Sequence, residues 1–469
     1  MIPVCTAAQV RMLDEAVIEG AGVASSVLME IAGRGVAEVI HERFPMGEIA
    51  ILCGPGNNGG DGYVAARWLT HWGRDVRIWG AKPKTDDATI NRHLCERMDI
   101  PFLAASDAVA GATVAVDALL GTGQRDAPRG EIADALSALS QTPCRVAVDI
   151  PTGIHADTGQ ALSQPPSFDL TVTLGRWKAG LLCAPGCDVA GDVYCVDIGL
   201  DLAHTVDPSL AHSAAQLVEL SDIETWRPTV QGSDAKWDRG HVAILAGGGA
   251  AVLAAHGAFR GGAGLVTLLA PKDEWKTFHG LWPEVILAEP GDLDPKRHDV
   301  VVVGPGFGLD QPEKIISLWE DYTGGVVADA DALSILANHP HQTPTHAKRI
   351  ITPHSAEAGR LIGISRADVE GNRLQAIAQL ASFGVVVLKG PHTLIGPDRL
   401  WFNPTGCSRL ATAGTGDVLA GVIGGLLATG IAPAHAAAIG VWDHGTAGQR
   451  MPADGTASDL IEAMRPASS

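Results

Sequence analysis

Two separate series of short β-rich runs, each alternating with segments of helical periodicity, limit this chain to very few folds. The first series is Ile49 to Cys53, Val76 to Trp79, Thr113 to Asp117, Arg145 to Ile150 and Leu170 to Leu174, with helical patterns between the first four. Short apolar runs bounded by turn residues read as buried strands, and parallel neighbours need crossover helices because a tight turn cannot join them. A second series starts at His241 and continues through Leu265 to Ala270, Val300 to Val303, Val326 to Asp329, Arg349 to Thr352 and Val385 to Lys389, ending in two helices. Ahead of the first strand, apolar positions at helical spacing over residues 7 to 40 break at Gly20-Ala-Gly22, which predicts two helices covering a sheet. The predicted fold is therefore α/β with two domains, the first a Rossmann-like three-layer parallel sheet. Leu202 to Gly240 has little strand character and contains Pro208 and Pro228, so the junction is placed near residue 212, giving domains 1–212 and 213–469. A length of 469 residues, beyond what one core usually serves, agrees with two domains.

Charge and composition exclude several classes. The formal net charge of −19 offers no basic field for a phosphate backbone, so no nucleic-acid partner is expected. The N-terminal stretch lacks a basic segment followed by an apolar one, and the apolar runs are cut by glycine or charge, so neither export nor membrane insertion is expected. A cytoplasmic protein follows as the expectation. Eight cysteines are scattered without a CxxC pair and read as reduced, buried thiols; Cys183, Cys187 and Cys195 lack the spacing of a zinc site.

In an open parallel sheet, ligands sit beyond the carboxyl ends of the strands, and there the first half concentrates its unusual residues. Gly54-Pro-Gly-Asn-Asn-Gly-Gly-Asp-Gly62 follows the first strand and precedes a helix expected from Tyr63. Glycines permit close backbone approach, and free N–H groups at a helix start trap an anion such as a diphosphate. A turn alone needs no two asparagines and an aspartate. Two further strand ends, Val116-Asp117-Ala-Leu-Leu-Gly121-Thr-Gly123 and Val148-Asp149-Ile-Pro-Thr152-Gly153, should converge with this loop. Asn58, Asp117 and Thr152 then suit a hard cation, with Asp149 facing the substrate. The bland reading of either aspartate is a helix or turn cap.

In the second half, Ala411-Thr-Ala-Gly414-Thr-Gly416-Asp417 precedes a long apolar helix expected from about Val418. Backbone donors there suit a phosphoryl oxygen, and the aspartate is placed to take a proton from a hydroxyl, a ribokinase-type arrangement. An aspartate that merely offsets the helix dipole is the simpler alternative. Gly304-Pro-Gly306-Phe-Gly308, Thr352-Pro-His354-Ser-Ala-Glu357 and Leu388-Lys389-Gly390-Pro-His-Thr393 each follow a strand. Lys389 and Thr393 are within reach of phosphates, and there is no GxxxxGK[ST], so nucleotide use would not be P-loop chemistry.

These motifs carry a resemblance. NNGGDG, VDALLGTG, DIPTGI and the leading LMEIAG together resemble the NAD(P)HX epimerases over roughly residues 1 to 210, with Ile31 standing where that family usually has asparagine. The resemblance implies that Asn57, Asn58, Gly59, Gly60, Asp61 and the run Gly121, Thr122, Gly123, Gln124, Arg125, Asp126, Ala127 bind the hydrated dinucleotide. It further implies that Asn58, Asp117 and Thr152 hold K+ and that Asp149 contacts the nicotinamide end. Because the substrate is a carbinolamine, a carboxyl group such as Asp149 can protonate the leaving hydroxyl and deprotonate the incoming water.

Residues 220 to 465 resemble the ADP- or ATP-dependent NAD(P)HX dehydratases, relatives of ribokinase-like kinases, which implies a ribokinase-like three-layer α/β second domain. By that resemblance Ala250, Gly306, Gly308, His354 and Asp417 contact the hydrate, while Lys389, Gly390, Pro391, His392, Thr393 and Gly416 contact the nucleotide, used with Mg2+. The resemblance implies that the hydroxyl is phosphorylated and phosphate then eliminated, with Asp417 as the base that activates the hydroxyl. Where relatives carry HKG and a GS-rich loop, this chain has Ala235-Lys-Trp237 and a shortened Gly247-Gly-Gly-Ala-Ala251. A phosphate cradle and a close-packed turn are both readings of Gly247 to Gly249. Expected partners are NADHX, NADPHX and ADP or ATP, with a homo-oligomer as the expected state. A vitamin-precursor kinase fused to a dinucleotide-binding domain, or a sensor without turnover, are the alternatives; the first needs no NNGGDG and the second needs no Asp149 or Asp417.

Overall fold

A computed structural model describes residues 1–229, 232–233, 235–343 and 348–465. It divides into two compact units, Ile2–Ala215 and Met1 with Gln216–Ser469.

The N-terminal unit is built on strands β1 (Ile2–Cys5), β2 (Ile49–Cys53), β3 (Val76–Gly80), β4 (Val114–Ala118), β5 (Cys144–Val148), β6 (Leu170–Leu174), β7 (Trp177–Lys178) and β8 (Asp192–Val196). Six of them form an entirely parallel sheet in the order β3-β2-β4-β5-β6-β8, and β1 pairs in parallel with β7. The strand period of two sorts side chains onto opposite faces. Ile49, Ile51 and Cys53 join one apolar cluster, with Val114 and Val116 beside them, whereas Ala50 and Leu52 join another with Ala115. Both faces are covered, which is why these strands read as unbroken apolar runs rather than alternating ones. Truncating a fully buried side chain such as Ile51 to alanine should cost about 2–5 kcal/mol.

The leading residues form the helix Ala7–Glu15, continued by a wider turn over Ala16–Gly20, and then the helix Ser25–Arg43; both contribute to the cluster on one sheet face. One expectation is corrected here. The helix after β2 starts at Asn57 rather than Tyr63, so the Asn-Asn-Gly-Gly-Asp-Gly segment is its first turns and not a loop. Glycine propensity alone argues against this, but packing overrides it. A Cβ on Gly59 would lie 2.0 Å from the carbonyl oxygen of Gly54, and the facing helix approaches so closely that a Cβ on Gly33 would meet Val64 at 2.4 Å.

The C-terminal unit carries β9 (Ala215–Leu217), β10 (His241–Leu245), β11 (Leu265–Leu269), β12 (Ile286–Ala288), β13 (Val300–Val303), β14 (Gly325–Ala328), β15 (Arg349–Ile351), β16 (Val385–Leu388), β17 (Leu394–Gly396) and β18 (Trp401–Phe402). Their order is β12-β11-β10-β13-β14-β15-β16-β17-β18-β9. The strands from β12 to β16 are parallel; β17 and β18 turn antiparallel, and β9 runs parallel to β18. The short strands β9, β12, β17 and β18 were too brief to register as runs in the sequence. The helix Thr415–Ala428 is buried along most of its length, where Gly421 meets the backbone of Ala254 and Gly424 meets Val302. The helix Gly248–Arg260 begins inside the segment read as a shortened loop. Among the described residues, no helix is long and apolar enough to cross a membrane.

Candidate functional sites

In the N-terminal unit the ends of β2, β4, β5 and β6 face a cleft of about 580 Å³. Asn57, Asn58, Asp61, Gly121, Thr122, Gly123, Gln124 and Asp149 line it, as do Asp14 and Lys178. The convergence follows from the parallel register, which brings the residues after each strand to one edge of the sheet. Gln124 ties two loops together: its side chain donates to the Pro151 carbonyl at 3.3 Å and accepts from the Gly153 amide at 2.7 Å.

Asp149 takes a positive φ of 68° directly after β5, a conformation that costs a β-carbon residue about 1–3 kcal/mol and that aspartate tolerates better than most. The turn directs its carboxylate onto Lys178, which forms an ion pair with it while only 1% exposed. The same ammonium donates to Thr173 Oγ1 at 3.1 Å and to the Leu174 carbonyl at 2.7 Å, and Asp149 accepts from the Leu174 amide at 3.3 Å. Burial pushes Asp61 well above the usual carboxylate range, with Asp149 and Asp14 adding to the rise and Lys178 opposing it.

Asp117 and Thr152 lie beneath the cleft, completely buried. Thr152 Oγ1 donates to Asp117 at 2.8 Å, and the Thr152 and Leu119 amides donate at 2.8 and 3.1 Å. Burial moves Asp117 up to about 6 against those hydrogen bonds, and no cationic side chain among the described residues offsets its charge. Asn58 is also buried, yet neither its Oδ1 nor its Nδ2 has a partner. A carboxylate charge with no cation to answer it and a buried amide oxygen with no partner are both donors of the kind a monovalent cation takes.

Other expected contacts stand apart from the cleft lining. Gly59 packs on Gly54 and Gly60 against Met29. Arg125 folds back on its own loop, donating to the carbonyls of Thr122 and Gln124, and Arg125, Asp126 and Ala127 are exposed. Lys178 and Asp14 were not singled out in the sequence. A lysine four residues beyond an apolar strand gives no signal of burial until the chain turns back on itself.

In the C-terminal unit, Gly414 caps the helix Thr415–Ala428 with φ of 88°, so Thr415, Gly416 and Asp417 form its first turn. His444 Nε2 lies 2.9 Å from the Thr415 carbonyl and secures that turn from the helix Pro433–Arg450. Burial raises Asp417 to about 6, with Asp329 adding to the rise and Lys389 opposing it. Lys389, at the end of β16, pairs with Asp329 at 2.8 Å and lies 3.9 Å from Glu357. A Cβ on Gly416 would stand 3.5 Å from the Lys389 ammonium, which brings the two nucleotide-contact candidates together.

His354 caps the helix Ser355–Ile362: its Nδ1 accepts from the Ala356 and Glu357 amides at 3.1 and 3.2 Å, leaving Nε2 3.5 Å from Glu357. Gly306 is brought to Gly247, where the Gly247 amide donates to the Pro305 carbonyl at 2.9 Å, and Ala250 stands beside it. Gly247 is thus a close-packed turn, whereas Gly248 and Gly249 face open space. Gly308 donates to Asp331 at 2.9 Å. Thr393 donates to the Gly390 carbonyl at 3.2 Å, Gly390 lies against Arg373, and burial lowers His392, at φ of 46°, to about 4. Asp329 and Glu357, which hold Lys389, escaped the sequence reading as site residues because each also serves as an ordinary strand-end or capping acid.

The family model described as NAD(P)H-hydrate dehydratase matches residues 242–466, and that described as YjeF-related protein N-terminus matches residues 25–180. The bifunctional NAD(P)H-hydrate repair enzyme Nnr of Thermanaerovibrio acidaminovorans is 36% identical over 492 residues, covering 97% of this chain and 95% of that protein. The chain belongs to the bifunctional NAD(P)H-hydrate repair enzymes. The repair enzyme of the same name from Escherichia coli is 35% identical, covering 90% of this chain and 84% of its own. Among solved structures, the ADP/ATP-dependent NAD(P)H-hydrate dehydratase of Bacillus subtilis is 26% identical with a TM-score of 0.48, over 53% of this chain and 96% of that one.

Proposed function

We propose that the chain repairs hydrated nicotinamide cofactors: residues 1–212 epimerise R- and S-NAD(P)HX, and residues 213–469 dehydrate the S form to NAD(P)H at the expense of ADP or ATP with Mg2+. The observation that carries this reading is similarity to repair enzymes along nearly the whole length of both chains, with both domain models matched in one polypeptide. Asp149 at the N-terminal cleft and Asp417 at a helix start beside Lys389 support it as the two proton-handling groups.

In the first step the ring nitrogen expels the hydroxyl to leave an iminium, and water returns on either face. Asn58, Asp117 and Thr152 are assigned to K+, which supplies fixed positive charge behind the cleft; replacing potassium by choline should lower the unfolding temperature of wild-type protein and not of Asn58→Ala. In the second step Asp417 draws the proton from the substrate hydroxyl as it attacks the nucleotide's terminal phosphoryl group. Lys389, with Gly390 to Thr393 and Gly416, binds the nucleotide, and His354, Ala250, Gly306 and Gly308 face the hydrate. A homo-oligomer and a cytoplasmic location complete the reading, the former open to light scattering.

The test is recovery of dihydronicotinamide absorbance from a mixture of both NADHX epimers with ADP and Mg2+, then with ATP. Full recovery is expected. A stop near the S share, after correction for spontaneous epimerisation, removes the epimerase, and no recovery by folded protein removes the dehydratase in favour of a vitamin-precursor kinase.

A further inference from the structure

We propose that Asp14 is a second catalytic acid of the N-terminal cleft, protonating the hydroxyl that leaves one face of the hydrated ring while Asp149 receives the proton of the water that enters the other. The inference rests on the epimerase reading and sharpens it. Inversion at the hydroxylated carbon needs proton handling on both faces of the ring, and a general acid or base must lie within about 2.6–3.2 Å of the oxygen it serves. A single carboxyl group meets that condition directly on only one face of a bound ring and serves the other only through a water or after the ring turns over.

The cleft supplies the second group. Asp14 sits on the helix Ala7–Glu15, which buries Ala7, Val10 and Leu13 and brings Asp14, with Val10, to the cleft that Asp149, Asp61 and Lys178 also line. An ammonium has three protons to give, and those of Lys178 go to Asp149, Thr173 and Leu174. None remains for Asp14, which forms no hydrogen bond or ion pair with any described residue. The charged groups around it are Arg11 and Glu15 on its own helix, Asp61 on the helix Asn57–His71, Asp149 after β5, Lys178 in β7, and Lys84 and Asp87 on the cleft wall. Burial outweighs Lys178, and with Asp149 and Glu15 it raises Asp14 to about 6. The two acids differ in kind: Asp149 is ion-paired and Asp14 is not.

The step balances. Asp14 gives its proton to the hydroxyl, the C–O bond breaks with its electron pair leaving on water, and the ring nitrogen's lone pair forms the C=N bond. Water then forms a new C–O bond on the opposite face, its proton passes to Asp149, and the lone pair returns to nitrogen. A proton passing from Asp149 to Asp14 through cleft water resets the pair, and the reverse reaction runs with the roles exchanged.

The experiment measures epimer interconversion by purified full-length protein from epimer-enriched NADHX with K+ present, after subtraction of the spontaneous rate. Asp14→Asn, checked for folding by circular dichroism and thermal unfolding, should lose at least ~100-fold in kcat with little change in KM. The wild-type loss of rate above about pH 6 should vanish in that variant, and Asp14→Glu should recover part of the rate. A folded Asp14→Asn protein with wild-type kcat overturns the proposal, and so does a slow one whose pH profile is unchanged. Absence of wild-type turnover removes the epimerase reading itself, which separates the two failures.

Discussion

Each unit holds a lysine against an aspartate near a strand end, Lys178 buried and Lys389 part-buried, yet the two pairs are placed differently. In the N-terminal unit the paired aspartate, Asp149, is itself at the cleft, and the unpaired Asp14 comes from a helix outside the sheet. In the C-terminal unit the paired aspartate, Asp329, stands behind Lys389, and the unpaired Asp417 belongs to the first turn of the helix Thr415–Ala428. In both, burial raises the unpaired acid to about 6. A lysine committed to one carboxylate leaves the next one free to exchange a proton near neutral pH.

The largest test of this contrast is Asp417→Asn. It should lower dehydration of S-NADHX by about 10²–10⁴-fold while leaving epimerisation unchanged, measured by absorbance recovery and by epimer separation. A joint loss would mean that the two aspartates are not independent. Next is Lys178→Met, which leaves the Asp149 charge buried without its partner and should cost about 3–5 kcal/mol of unit stability in denaturant unfolding. The double variant Lys178→Met, Asp149→Asn should regain much of that stability while its epimerase stays inactive; no regain would show that Lys178 matters through packing.

The pH dependence sharpens the comparison further. As a base, Asp417 must be deprotonated, so dehydration should climb about 10-fold per unit as pH rises toward about 6 and then level off. As an acid, Asp14 must hold its proton, so epimerisation should decline as pH rises beyond about 6. Profiles of the same slope would break the assignment of opposite roles. The smallest effect is expected of Arg125→Ala: the side chain is exposed and bonded only to its own loop, so epimerase kcat/KM should change less than about 3-fold and stability by less than about 0.5 kcal/mol. A larger loss would extend the substrate's footprint to that loop.

Much of the molecule was legible in the sequence because its signals are local. The apolar runs Ile49 to Cys53 and Val300 to Val303 are strands as expected, since a strand buried on both faces needs continuous apolar residues. Strand-end placement of Asp149 and the helix-start placement of Asp417 followed from the same pattern. The helix start at Asn57 did not, because the penalty for glycine is local whereas the contacts of Gly59 with Gly54 and of Gly33 with Val64 that outweigh it are tertiary. The family resemblance implies Gly59 and Gly60 as ligand contacts, and in the fold Gly59 packs on Gly54 and Gly60 against Met29.

What the sequence determined by itself is the two α/β units, the strand ends and helix start at which the motif residues lie, and the family to which they belong, all written in residue type and spacing. The tertiary structure alone decided how charges are partnered. Asp149 with Lys178, Asp329 with Lys389, the unpartnered amide of Asn58 and the unpaired Asp14 depend on burial and on distances between segments far apart in the chain. An aspartate's chemistry is set by the charges and water around it, and those are fixed only when the chain closes on itself.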